Sequence, residues 1–161
     1  MKPRWRIVGL LLAFAYAQAS AGSCSLSVGA MAFAPYTSIT TARAMSTDRT
    51  SDTTLTLTCT GIVRGGPYTI SLLPDAAGGG AVRQVRHVGG HAPMAAVLYR
   101  DAGFMQPWGD GTGGTAPITG MLPPGDSRHT HVVFGRLAAG QRQLRAGAYL
   151  SNWAVRVDYT P

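Results

Sequence analysis

An all-β sandwich with Greek-key connections is the fold this chain's sequence predicts, and three observations carry the prediction. Strict period-two alternation recurs in short runs, clusters of glycine and proline separate those runs, and no window holds the apolar periodicity of an amphipathic helix. With 21 glycines and 10 prolines among 161 residues, every helical candidate is broken before it completes three turns. A small chain of short strands and frequent turns has the sandwich as its natural closed form.

The first 21 residues read instead as an export signal. Lys2, Arg4 and Arg6 form a basic start, and Ile7 to Tyr16 is an apolar run too short to span a bilayer. Small residues at Ala17-Gln-Ala19 and Ala19-Ser-Ala21 offer cleavage before Ser20 or Gly22. The expected product is a single exported domain over residues 22–161, not inserted in a membrane.

Strands are expected in order from there. Ser25 to Val28 is the first. Thr53 to Cys59 alternates strictly, with Leu55, Leu57 and Cys59 on one face and threonines on the other, the pattern of a half-buried antiparallel strand. Tyr68, Ile70 and Leu72 repeat it after the Gly65-Gly-Pro67 turn, and Met94 to Arg100 follows. His129 to Arg136 and Trp153 to Tyr159 complete the set, the last with Trp153, Val155, Val157 and Tyr159 on one side and Arg156 and Asp158 on the other. Turns fall at Gly78-Gly-Gly80, Gly89-Gly90 and Pro123-Pro-Gly125.

Composition narrows the function. The net charge of +7 includes three residues of the signal; beyond it stand 11 arginines and 7 aspartates, with no glutamate in the chain, a balance of +4. These arginines are scattered, without aromatic interleaving, which argues for solvated faces and against a nucleic-acid groove. Cys24 and Cys59 are the only cysteines, and in an oxidising compartment a lone pair in a small domain forms a disulfide. Closing that loop stabilises by about 4 kcal/mol in the chain-entropy description. No G-x-S-x-G or H-E-x-x-H string occurs, and seven dispersed aspartates are a poor source of the paired carboxylates of a glycosidase. No catalytic residue, cofactor or metal site is expected.

Gly109-Asp110-Gly111-Thr112-Gly113-Gly114 matches the dinucleotide string G-x-G-x-x-G, yet its context does not. Pro117, Gly120, Pro123, Pro124 and Gly125 deny the helix whose amino terminus would meet a pyrophosphate. Calcium is disfavoured as well, because Asp110 has only Asp101 near it as a second carboxylate. A tight glycine-permissive connection remains. His129 and His131 share a strand face at a spacing that can chelate, but two imidazoles alone seldom define a site, and they read as exposed polar residues of the outer face. His87 and His91 straddle a Gly-Gly turn, and Trp108 reads as a side chain closing a loop over a core edge.

Several motifs of the carboxy-terminal half resemble those of one family. They are Leu98-Tyr99-Arg-Asp101, Trp108-Gly109-Asp110-Gly111-Thr112-Gly113-Gly114-Thr115, Val133-Phe-Gly135-Arg136, Ala139-Gly-Gln141 and Gly147-Ala-Tyr149, ahead of the alternating end Trp153 to Tyr159. In order and spacing they are similar to the spore coat protein U domain, the family that includes subunits of archaic, Csu-type chaperone-usher pili. The amino-terminal half adds Cys24, Phe33-Ala-Pro-Tyr36 and Cys59. Ala34 stands where the family commonly has glycine, and Ala92 where it often has arginine.

The resemblance implies an immunoglobulin-like Greek-key sandwich lacking one strand, with an open groove filled first by a periplasmic chaperone and later by a neighbour's amino-terminal extension. It implies that the W-G-D-G-T-G-G-T string is a structural loop. Implied partners are that chaperone, an outer-membrane usher and neighbouring fibre subunits; the implied destination is a cell-surface fibre reached through the periplasm. The apolar face of Trp153, Val155, Val157 and Tyr159 is the candidate for one groove wall. Cleavage before Ser20 or Gly22 leaves only Ser20 to Ser23, or Gly22 and Ser23, ahead of Cys24, too little chain to donate a strand at ~3.3 Å per residue. The expectation is a structural subunit that accepts a strand without giving one, at a tip or chain terminus. The alternative is a self-complete secreted coat or carbohydrate-binding sandwich.

Overall fold

The computed structural model describes residues 22–35, 47–75 and 80–160. The export-signal reading over 1–21, Tyr36 of the amino-terminal motif and part of the Gly78-Gly-Gly80 turn lie outside those residues. Among the described residues there are nine strands: β1 (Ser23–Val28), β2 (Arg49–Ile62), β3 (Gly66–Leu72), β4 (Val82–His87), β5 (Met94–Tyr99), β6 (Ile118–Leu122), β7 (Gly125–Leu137), β8 (Tyr149–Leu150) and β9 (Val155–Tyr159). They form two antiparallel sheets, one in the order β1-β2-β7-β5-β4-β8 and one in the order β6-β3-β9. The chain crosses between sheets from β2 to β3, back to β4, across again to β6 and back to β7, which is the all-β sandwich the alternation predicts.

Register explains the core. In β2 the inward side chains Leu55, Leu57 and Cys59 are wholly buried, while Thr54, Thr58 and Thr60 face water. β2 pairs along nearly its whole length with β7, from Arg49↔Leu137 to Cys59↔Ser127, with a register shift before Ile62↔Gly125. Val133 of β7 and Ile70 of β3 close over the β2 leucines from the two sheets. The disulfide joins Cys24 and Cys59, which sit opposite one another in the β1–β2 register.

Strands β4, β6 and β8 have no counterpart among the expected elements. In β4 the alternation is inverted: Val82 is 57% exposed while Arg83 is buried, donating from Nη1 to Leu73 O (2.9 Å) and from Nη2 to Leu72 O (3.4 Å). A guanidinium in the inward position disguises the strand. β6 carries Gly120 opposite Tyr68, and a Cβ there would overlap the phenol ring. That glycine, which in sequence is only one of the residues that deny a helix, serves a close ring-to-backbone approach.

Three local expectations change. His129 and His131 lie on the inner face of β7 with Val133, half-buried, whereas Thr130 and Val132 face outward. Their rings meet Tyr68, with centroids 5.2 and 5.9 Å from it, and the Tyr68 hydroxyl lies 2.8 Å from His131 Nε2. A polar pair is tolerated inside because a phenol faces it. Trp153 precedes β9 in an extended segment rather than belonging to the strand, and β2 reaches well past both ends of the expected Thr53 to Cys59.

After β1 the chain stays close to β2: Gly29 N donates to Thr54 O (3.0 Å) and Ser51 Oγ to Ala32 O (2.6 Å). This aims Met31 and Phe33 at the inner face, where both press on Gly135 of β7. A Cβ at Gly135 would occupy the space of the Met31 sulfur and the Phe33 ring edge. Gly135→Val is therefore expected to displace residues 29–35 and cost about 1–3 kcal/mol through overpacking, a fall of several degrees in Tm measured by circular dichroism.

Candidate strand-acceptor cleft

β9 is the last strand of its sheet, and β1 the last of the other. Along β9 the inward residues Val155, Val157 and Tyr159 pack on the core but stay half-buried, since among the described residues no strand lies beyond them. At one end the two edges touch, Cys24 N donating to Tyr159 Oη (3.2 Å). Toward the other end they part, opening a cleft of about 680 Å³. One wall holds Trp153 and Val155; the other is Val28 with Met31 and Phe33; Leu98 and Trp108 are in the lining too. Arg145 is the one charged residue of the described lining, so the cleft is apolar. Val157 and Tyr159 lie beyond its end, beside Cys24 and Leu26. The Met31 and Phe33 wall was missed in sequence, although Met-Ala-Phe is a period-two signal.

The motif residues do not converge on one site; each fastens a different part of the frame. Leu98 faces the core, while Tyr99 packs its ring edge-on to Phe104, which in turn meets Phe134. The Asp101 carboxylate accepts from the amides of Met105 (3.1 Å) and Gln106 (2.7 Å), closing a loop in which Phe104 takes φ 54°. Trp108 is buried, its indole N–H donating to Ile70 O (3.0 Å) across the sheets and its amide to Leu98 O (2.8 Å).

From there the chain turns back on itself. Asp110 Oδ1 accepts from Thr112 N (3.0 Å) and Thr112 Oγ1 (2.7 Å), and Thr115 Oγ1 donates to Thr112 O (2.7 Å). Gly111, Gly113 and Gly114 all have positive φ, a backbone that glycine adopts without strain. The Asp110 carboxyl is held below its usual range, first by the Thr112 hydroxyl and then by the Thr112 amide. Gly109 N donates to Ala116 O (3.2 Å) and the next element is strand β6, so no helix amino terminus follows the glycines.

Gln141 continues a ladder where β7 stops: its Oε1 accepts from Ala95 N (2.6 Å) and its Nε2 donates to Ala95 O (2.8 Å). Tyr149 closes its own loop, exchanging 3.0 Å hydrogen bonds with Arg145 N and O, and its ring meets His87 edge-on. Arg136 pairs with Asp48, whose other oxygen accepts from Ala139 N (2.8 Å). Among the described residues no group of three or more His, Cys, Asp or Glu stands close enough to hold a metal ion.

A small antiparallel sandwich with latched loops, two sheet edges that no further described strand pairs and an apolar cleft between them is the frame of a structural subunit. The chain belongs to the Spore Coat Protein U domain family, whose model matches residues 10–156. That family is one of pilus and coat-type structural proteins rather than of catalysts. No curated protein sequence matches the chain.

The latches carry a pH signature. The Ala139 amide, and after it Arg136, hold the Asp48 carboxyl below its ordinary value of 3.8. A lowered carboxyl contributes stability that is complete above the unfolded value and is lost as pH falls through the folded one. Asp48→Asn is therefore expected to flatten the acid limb of Tm against pH below about 4, measured by circular dichroism.

Proposed function

We propose that this chain is a non-enzymatic subunit of a chaperone-usher surface fibre and that its cleft accepts an extended strand from a partner. The observation that carries the reading is the edge of β9: its inward side chains are half-covered beside an apolar cleft, and among the described residues its outer backbone groups have no ladder. An added strand with alternating apolar side chains satisfies both needs at once, pairing its backbone with β9 and burying its side chains in the cleft. A periplasmic chaperone supplies that strand before assembly and a neighbouring subunit supplies it in the fibre, after passage through an outer-membrane usher.

The same reading has the subunit accept without donating. β1 engages β2 from Ser23↔Thr60 onward, so residues from Ser23 belong to the subunit's own sheet. Cleavage before Ser20 or Gly22 would leave no strand's length upstream of it. The position that suits such a subunit is the tip or a terminus. Sequencing the mature amino terminus tests this directly; a start well before Ala17 overturns it.

Strand acceptance is tested by exporting the chain into a bacterial periplasm alone and together with its candidate chaperone. Recovery of soluble, oxidised protein only as a one-to-one complex is the expected result; a heat-stable monomer without help overturns it and leaves a self-complete coat or sugar-binding sandwich. Val155→Arg, which puts a charge on the β9 wall of the cleft, is expected to cut recovered complex at least about tenfold, the equivalent of about 1.4 kcal/mol. Val63→Arg, at a side chain 69% exposed, is expected to leave recovery unchanged.

A further inference from the structure

The opposite side of the sandwich has a second opening of different character. β5 pairs with β7 only from Phe134 to Leu137, so among the described residues the first part of β7 has a partner on its β2 side alone. Facing that free stretch is β6, the other outer strand of the small sheet. Between them lies a pocket of about 300 Å³ lined by Arg100, Ile118, Thr119, Thr130, His131 and Val132. Its polar residues are an arginine, a histidine and two threonines, with no aspartate among the described lining.

Arg100 is held in place without being neutralised. Its Nη1 donates to Pro117 O (3.0 Å), its Nε is buried with no partner, and among the described residues no carboxylate makes an ion pair with it. Along the inner face of β7, Ser127 Oγ and His129 Nε2 are likewise buried and unpartnered. Of these groups Arg100 lines the pocket, and leaving its charge in this condition costs free energy that a bound acceptor would recover. An arginine fork beside further donors matches an oxyanion in geometry and in charge.

We propose that this opening is a binding site for a small oxyanion, a sulfate group or the carboxylate of an acidic sugar, built on Arg100 and His131. Proton uptake strengthens it. The groups facing His131 are Tyr68 from β3, His129 from β7 itself and Arg100 from the loop after β5, with Leu55 beside it on β2 and Ile118 from β6; none is an anion. Burial, and after it the charge of His129, push His131 below its ordinary value, so the site is short of protons at neutral pH. An anion seated on Arg100 favours the protonated form of His131 beside it, and by linkage the anion binds more tightly as pH falls.

The test is calorimetric titration of the mature full chain, in the form recovered from the periplasm, with sulfate, with glucuronate and with neutral glucose at constant chloride. Both anions keep their charge between about pH 5.5 and about pH 8, so a pH effect reports on the protein. Expected is saturable binding of one or both anions, none of glucose, and affinity about tenfold higher at the lower pH. Tighter sulfate marks a sulfate group as the ligand, tighter glucuronate a uronic acid. Arg100→Gln is expected to weaken binding at least about tenfold at both pH values, and His131→Asn to remove the gain at low pH while leaving affinity at high pH. Should either variant fail to fold, histidine ring NMR of the unmodified protein decides, because a seated anion must raise the His131 titration. Absence of saturable binding, binding indifferent to Arg100→Gln, or a His131 titration that the anions leave unmoved overturns the proposal.

Discussion

The β2–β7 ladder sets the terms for every other part of the molecule. It pairs two long strands from Arg49↔Leu137 to Ile62↔Gly125, and its inner face contributes Leu55, Leu57 and Val133, none of which retains any exposure. Both neighbours are shorter. β1 covers β2 only from Ser23 to Val28, secured by the disulfide, and β5 covers only the last four residues of β7. The second sheet has just three strands to lie across this frame. Among the described residues, a long ladder with short flanks under a narrow lid leaves both sides of the sandwich incompletely covered, and each opening follows from that mismatch.

Much of this was legible wherever alternation was clean. Leu55, Leu57 and Cys59 announce a half-buried strand, and Tyr68, Ile70 and Leu72 announce its partner in the facing sheet. Legibility fails where a polar side chain takes an inward position. Arg83 does so because the carbonyls ending β3 receive its guanidinium, and His129 and His131 do so because the Tyr68 ring faces them. Parity on β7 misleads for the same reason: Phe134 looks like core, yet it packs outward against Phe104, and Val132 is 41% exposed.

The loop around Trp108 shows the same division. Its glycines and Asp110 mark a tight turn from composition alone, and the turn is there. That the indole reaches Ile70 O, 38 residues away, has no local signature. The cleft was half legible. Trp153 and Val155 stand in a continuous alternation, whereas Met31 and Phe33 follow a break in parity after Val28 that only the path of residues 29–35 along β2 explains.

The two openings are physically unlike, and one strand connects them. The cleft beside β9 is apolar with unpaired backbone, an arrangement that invites uncontrolled pairing unless something occupies it. The opening beside β6 is polar and cationic, so water can fill it without such a hazard. β3 lies between β6 and β9, and Tyr68 is in register with Gly120 on one side and Tyr159 on the other. A strand added to β9 would turn that edge into an interior position and stiffen the sheet through β3. The ring that faces His129 and His131 is carried by that same strand. Occupancy of the apolar side would therefore bear on how firmly the polar side is held, through Tyr68, which stands between the two edges and meets His131.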